Sequence, residues 1–203
     1  TRIGSSAASD VYKRQGYDAP RPMADPLTVH ERVLQTLRTE GQAMLALAEG
    51  LNTDESQRLA WAKAVELLIP CQGHLVVSGM GKSGLVGAKI SATCSSLGLP
   101  SSFLHPSEAV HGDLGRIGPE DVALLISNSG GTAEVVDLAL HLRTDGVPTI
   151  GMSAHDDSPL AEAVSVHLRL APPDATPDDA CPWDLAPTTS TPLHVAAGDA
   201  LAW

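Results

Sequence analysis

The sequence is short of positive charge. Thirteen Lys and Arg stand against 24 Asp and Glu, a formal net charge of -11 over 203 residues, and so acidic a chain has no long-range attraction for nucleic acid or an anionic membrane. Any anionic ligand then has to be held by a local device. Cysteine is scarce too: Cys71, Cys94 and Cys181 are odd in number and widely spaced, with no CxxC pair, which points to reduced thiols rather than a disulfide frame or a metal knuckle. No apolar run approaches the ~20 residues that span a bilayer. The stretch Thr1 to Gln15 lacks the basic start and hydrophobic segment of a secretory signal. These absences lead to the expectation of a cytoplasmic protein with no nucleic-acid and no membrane partner.

What is present suffices for one sizeable core, with 43% apolar residues. Residues 1–26 are rich in Ser, Ala, Pro and Asp without a hydrophobic period and read as a disordered or foreign leader; residues 27–203 read as the folded domain. Helical spacing predicts one helix from Leu27 to Leu51 and a second from about Asp54 to Ile69, capped by Thr53 or Asp54 and burying Leu59, Ala62, Val65 and Ile69. Short apolar runs then alternate with helical ones. Strands are expected at His74–Ser78, Ser102–His105, Val122–Ser127, Thr149–Ser153 and Val166–Leu170, with helices near Gly84–Leu97, Ser107–His111, Ala133–Thr144 and Pro159–Val164. A final helix starts near Pro192. The reading is an α/β fold, a doubly wound five-stranded parallel sheet flanked by helices, with an N-terminal helical lead-in. In such a sheet the ligand crevice lies beyond the carboxyl ends of the strands.

Four polar clusters fall at those ends. Ser78-Gly79-Met80-Gly81-Lys82-Ser83-Gly84 matches a GxGxxG pattern, but the second strand lacks the terminal acid that a dinucleotide ribose requires, and Val76 stands where a P-loop needs glycine. What remains is small residues at a helix start, whose amides favour an anion, with the charge of Lys82 beside them. Ser127-Asn128-Ser129-Gly130-Gly131-Thr132-Ala133-Glu134 offers hydroxyls and amides at the positive end of a helix, a neutral cradle for a phosphate that needs no basic patch. His105-Pro106-Ser107-Glu108-Ala109-Val110-His111-Gly112-Asp113 supplies groups suited to proton transfer. The hydroxyl run Thr188-Thr189-Ser190-Thr191, after Ala180-Cys181-Pro182, forms another helix entrance. The other histidines, His30, His74, His141, His155, His167 and His194, are isolated in sequence and read as surface or core residues.

Taken in this order, GMGKSG, HPSEAVHGDLG, SNSGGTAE and ACPWDLAPTTST resemble the SIS-domain arabinose-5-phosphate isomerases over about residues 30–203. The resemblance implies a SIS-type sheet and interconversion of D-ribulose 5-phosphate and D-arabinose 5-phosphate, feeding 3-deoxy-D-manno-octulosonate and lipopolysaccharide synthesis. It also implies a homotetramer and no required cofactor. By motif, Lys82, His111, Glu134 and Asp179 match the family's catalytic positions, Asp179 standing where the family has Glu. His105 matches a position linked with substrate binding or inhibitory zinc, and the residues read as binding the substrate are Gly81, Ser83, Ser127, Asn128, Ser129, Gly130, Thr132, Thr189, Ser190 and Thr191. Members usually carry two CBS domains after the SIS domain, and a further family histidine lies beyond the last helix, so the resemblance also implies a truncated C-terminus here. Two other readings keep the same cradle: a module that only senses a sugar phosphate, and another phosphosugar isomerase of the SIS type. The joint presence of Lys82, His111 and Glu134 favours an enzyme.

Overall fold

The computed structural model describes residues 26–171 and 187–202, with side chains from residue 28. Residues 1–25 of the expected leader, Asp179 and Cys181 lie outside the described residues. The chain divides into two compact units, residues 1–34 and 35–203. Of the first, the described part is the opening stretch of helix α1 (Pro26–Thr53), which starts on a proline, where a missing N–H costs a helix nothing.

Helix α2 (Glu55–Leu68) follows at once because Asp54 is extended and its carboxylate accepts from the Gln57 amide at 3.1 Å, closing α1 and capping α2 in one residue. The buried side of α2 differs from the expectation. Gln57, Ala64 and Leu68 face the core, with Ala60, Trp61 and Leu67 partly covered. Ala62 is exposed, as are Leu59 (52%), Val65 (38%) and Ile69 (76%). Two apolar stripes run along α2 and the sheet covers one of them, the one on which the Gln57 side chain accepts from the Arg169 amide at 2.9 Å.

Five parallel strands, β1 (Leu75–Gly79), β2 (Ser101–Phe103), β3 (Val122–Ile126), β4 (Thr149–Ser153) and β5 (Val166–Arg169), form one sheet in the order β2-β1-β3-β4-β5. Helices α3 (Gly81–Ser96), α4 (Pro106–Val110), α5 (Ala133–Thr144), α6 (Pro159–Ala163) and α7 (Ser190–Leu201) follow in chain order, with a short 3-10 turn at Asp113–Arg116. The central strands carry apolar side chains on both faces, as a sheet covered on both sides must. Leu75, Val77, Leu124, Ile126, Ile150 and Met152 meet α2, α3 and α7, whereas Val76, Ala123 and Leu125 meet α4, α5 and α6. The wrap on α3 is tight: a Cβ on Gly84 would come within 2.6 Å of the Gly79 carbonyl oxygen.

Boundaries moved where proline and glycine dominate locally. β2 stops at Phe103 and His105 becomes the extended residue before α4, because Pro106 takes the first helical position and holds its predecessor out of the α region. α3 starts at Gly81 rather than near Gly84, since Gly81 (φ +54) enters directly after an extended Met80. α7 starts at Ser190, two residues before Pro192, which the first turn of a helix accepts.

Candidate active site

The chain leaves β1 toward one face of the sheet, through α3, and leaves β3 toward the other, through α5. These two strands are neighbours, so the sheet switches winding direction between them and their carboxyl ends bound the crevice. The two glycine- and hydroxyl-rich turns are the ones that flank it.

After β1, Met80 is extended and gives α3 no side-chain cap. The first backbone bond back is Gly84 N–H to the Met80 carbonyl at 3.2 Å, which leaves the amides of Gly81, Lys82 and Ser83 at the positive end of a 16-residue helix. Lys82 is exposed and Ser83 half-buried.

After β3, Gly130 N–H donates to the Ser127 carbonyl at 2.9 Å, and the Gly131 amide donates to Ser129 Oγ at 3.2 Å. Thr132 occupies the cap position of α5, yet its hydroxyl does not cap. It lies 2.8 Å from the buried Ser127 hydroxyl instead. Among the described residues the amides of Thr132, Ala133 and Glu134 therefore have no acceptor, and these are groups a helix start presents to an anion. Asn128 and Ser129 are exposed at the rim, and Glu134 is half-buried in the first turn.

The remaining motif residues sit at other points of the same edge. His105, beyond β2, is half-buried, and its Nδ1 is buried with no hydrogen-bond partner. His111 ends α4 and is exposed. Thr189, Ser190 and Thr191 are half-buried at the start of α7, where Thr191 donates to the Thr188 carbonyl at 2.7 Å. One turn further on, the His194 ring takes its bond at the Ser190 carbonyl, 2.6 Å from Nδ1, and burial pushes its pKa down. The structure thus brings the Lys82, Glu134 and cradle turns to the switch point and puts His105 and His111 on the turn beyond the next strand; Asp179 is outside the described residues. Among the described residues no three His, Cys, Asp or Glu side chains gather as a metal would need, around His105 or elsewhere. No described helix is long and apolar enough to cross a membrane.

Sequence reasoning missed the turn after β4. Ser153, Asp156 and Ser158 form with His167 a hydrogen-bonded group directly behind Gly130. The cluster Ser153-Ala154-His155-Asp156-Asp157-Ser158, at a strand end like the others, was the available signal.

Known proteins agree with this architecture. Arabinose 5-phosphate isomerase KpsF of Escherichia coli is 45% identical over 170 residues, covering 84% of this chain and 51% of the relative. Arabinose 5-phosphate isomerase KdsD of Pseudomonas aeruginosa is 50% identical over 142 residues, 70% of this chain and 42% of the relative. The chain therefore spans about half the length of the curated relatives it matches. A protein of Escherichia coli CFT073, solved in complex with arabinose 5-phosphate, superposes with a TM-score of 0.76 at 32% identity, covering 88% of this chain and 90% of that one. With the SIS domain profile matching residues 68–203, this chain belongs to the SIS domain family.

Proposed function

We propose that this chain carries the catalytic domain of an arabinose-5-phosphate isomerase, interconverting D-ribulose 5-phosphate and D-arabinose 5-phosphate for 3-deoxy-D-manno-octulosonate and lipopolysaccharide synthesis. The observation that carries the reading is the uncapped start of α5 facing the switch point, with Ser127, Ser129 and Thr132 around it. It offers a phosphate open amides and hydroxyls without a cluster of cations, which suits an acidic chain. The complex of the 32% identical relative supports the same ligand class.

In this mechanism the phosphate binds the β3 turn, and the sugar reaches across the mouth of β1. Glu134 takes the proton from the carbon beside the carbonyl and returns it to the neighbouring carbon, passing through an enediol. Lys82 stabilises the negative charge that develops on oxygen, and His111 moves a proton between the two oxygens. Gly81, Ser83, Asn128, Gly130 and the Thr189, Ser190 and Thr191 hydroxyls complete the binding surface; Asp179 is a second acid. These steps ask for acid–base groups of the protein alone, and zinc at His105 would need ligands from outside the described residues. Assembly as a homotetramer is part of the proposal, supported by apolar side chains left exposed on the lead-in helices and α3, among them Leu37 (64%), Leu45 (68%), Ile69 (76%) and Leu85 (74%).

The test is to incubate ribulose 5-phosphate with the protein, without nucleotide or added metal, and follow arabinose 5-phosphate. Approach to equilibrium from either side is expected. Binding of arabinose 5-phosphate without turnover would overturn the enzyme in favour of a sensing module.

A further inference from the structure

Gly130 is buried in the middle of the β3 turn at φ +65, a left-handed conformation. A Cβ there would collide with Cβ and Oγ of Ser158 and lie 3.2 Å from Ser153 Oγ. The backbone is clasped from the same side: Leu160 N–H donates to the Gly130 carbonyl at 2.9 Å and Ala154 N–H to the Asn128 carbonyl at 2.8 Å. The β3 turn therefore rests on the turn after β4.

That support is itself anchored. Ser158 Oγ accepts from Ala161 N–H at 3.3 Å and lies 3.1 Å from Ser153 Oγ. Ser153 is fully buried, 2.7 Å from His167 Nε2 and 3.1 Å from the His155 carbonyl. His167 Nδ1 stands 3.4 Å from Asp156 Oδ1, while Asp156 Oδ2 accepts from Arg169 at 2.7 Å. Arg169 makes a second 2.7 Å bond to Asp54, the α2 cap, and Gln57 on α2 reaches Asp156 at 3.4 Å. Serine, histidine and aspartate in this order suggest a nucleophile, but Ser153 has no exposed surface for a substrate to reach. The group instead has the form of a brace.

We infer that Ser158, Ser153 and His167 are positioning residues for the phosphate-binding turn: they hold Gly130, and through it the open amides at the start of α5. The inference rests on the β3 turn being the phosphate cradle. Its proton balance closes in both states of the ring. With His167 neutral, Nδ1–H faces Asp156, Nε2 accepts from the Ser153 hydroxyl, and Ser158 donates to Ser153. With His167 protonated, Nε2–H donates to Ser153, whose own hydrogen turns to the His155 carbonyl. Ser158 keeps both of its bonds either way, so the brace survives a proton on His167, whose pKa burial pushes down against the charge of Asp156.

The experiment is calorimetric titration of the whole chain with arabinose 5-phosphate. Ser158→Ala and His167→Leu are each expected to raise Kd about fivefold, the loss of one positioning hydrogen bond. Their double variant should be no weaker than the worse single one, since both break the same chain of contacts. His167→Gln keeps a polar group near Nε2 and should stay within about twofold of the parent. Ser129→Ala, which touches the cradle directly, is the control. If it weakens binding while Ser158→Ala and His167→Leu leave Kd unchanged and only lower the unfolding midpoint, the brace is structural and the inference falls; Ser158→Ala decides this even if His167→Leu does not fold. If Ser129→Ala also leaves Kd unchanged, the cradle reading fails, and the positioning role with it.

Discussion

The turns after β3 and β4 are built alike, strand to short loop to helix, and they end differently. At the start of α6, Ser158 accepts from the Ala161 amide and closes the helix with its own side chain. At the start of α5, Thr132 has the same opportunity, but its hydroxyl is turned to Ser127 and the helix stays open. α2 and α3 repeat the contrast, Asp54 capping the one and Met80 unable to cap the other. A helix start satisfied by its own cap is a joint. One whose cap is diverted, or of the wrong chemistry, keeps its amides for a ligand. The open starts of α3 and α5 flank the switch point, and the closed turn after β4 supports that of α5.

Glu134 tests this comparison hardest, because an acid in the first turn of any helix is stabilised by the dipole. If α5 begins at a catalytic site, Glu134→Gln keeps the shape and removes the proton acceptor, so kcat should fall by at least ~100-fold with little change in unfolding. If α5 begins at a mere joint, the variant should lose about 0.3–1 kcal/mol of stability and keep its activity. Steady-state kinetics beside thermal denaturation separates the two. Exchange of solvent deuterium into the carbon beside the carbonyl adds a check, since a base-mediated enediol permits it and a hydride shift does not.

Ser129→Ala sharpens the comparison at a smaller scale. Ser129 is at the exposed rim of the open turn, and phosphate contacts are much the same in ground and transition states, so KM should rise about tenfold, one charge-assisted hydrogen bond, while kcat holds. A loss confined to kcat would put Ser129 in the chemistry and remove it from the cradle.

How far these features could be read in advance depends on the range of the contacts that make them. β4 and α5 have the bounds expected from sequence, Thr149–Ser153 and Ala133–Thr144, because each is an apolar pattern set between strong local breaks. The two open turns were legible for the same reason: their glycines and hydroxyls are contiguous. The start of α3 was not, since three glycines in Gly79-Met80-Gly81-Lys82-Ser83-Gly84 look like loop, and only the φ of Gly81 shows the helix already under way. The covered stripe of α2 was also hidden, because periodicity finds both apolar stripes and cannot say which one a sheet will meet. The brace was the least legible part. His167 stands opposite Gly151 in the parallel β4–β5 register, which carries its ring toward Ser153, 14 residues away in sequence. Nothing local marks such a pair.

The smallest expected effect separates the two turns by pH. His167, on β5 against the closed turn, is nearly buried, and that burial pushes its pKa below the ordinary 6.5; Asp156 works against the shift and the nearby Arg169 adds to it. The fold therefore favours the neutral ring. A histidine whose pKa is lower folded than unfolded contributes stability that is fully present above 6.5 and is lost as pH falls through the folded value. The unfolding midpoint should accordingly decline as pH is lowered from 7.5 toward 5. His194, whose pKa burial also pushes down, contributes with the same sign. His167→Gln should flatten this decline without abolishing it, because His194 remains. The open turn has no such buried histidine, so Ser129→Ala should shift the curve without changing its slope. An unchanged slope in His167→Gln would mean that the ring holds its proton equally well folded and unfolded. The salt link to Asp156 would then offset burial in full, and the closed turn would be as indifferent to acid as the open one.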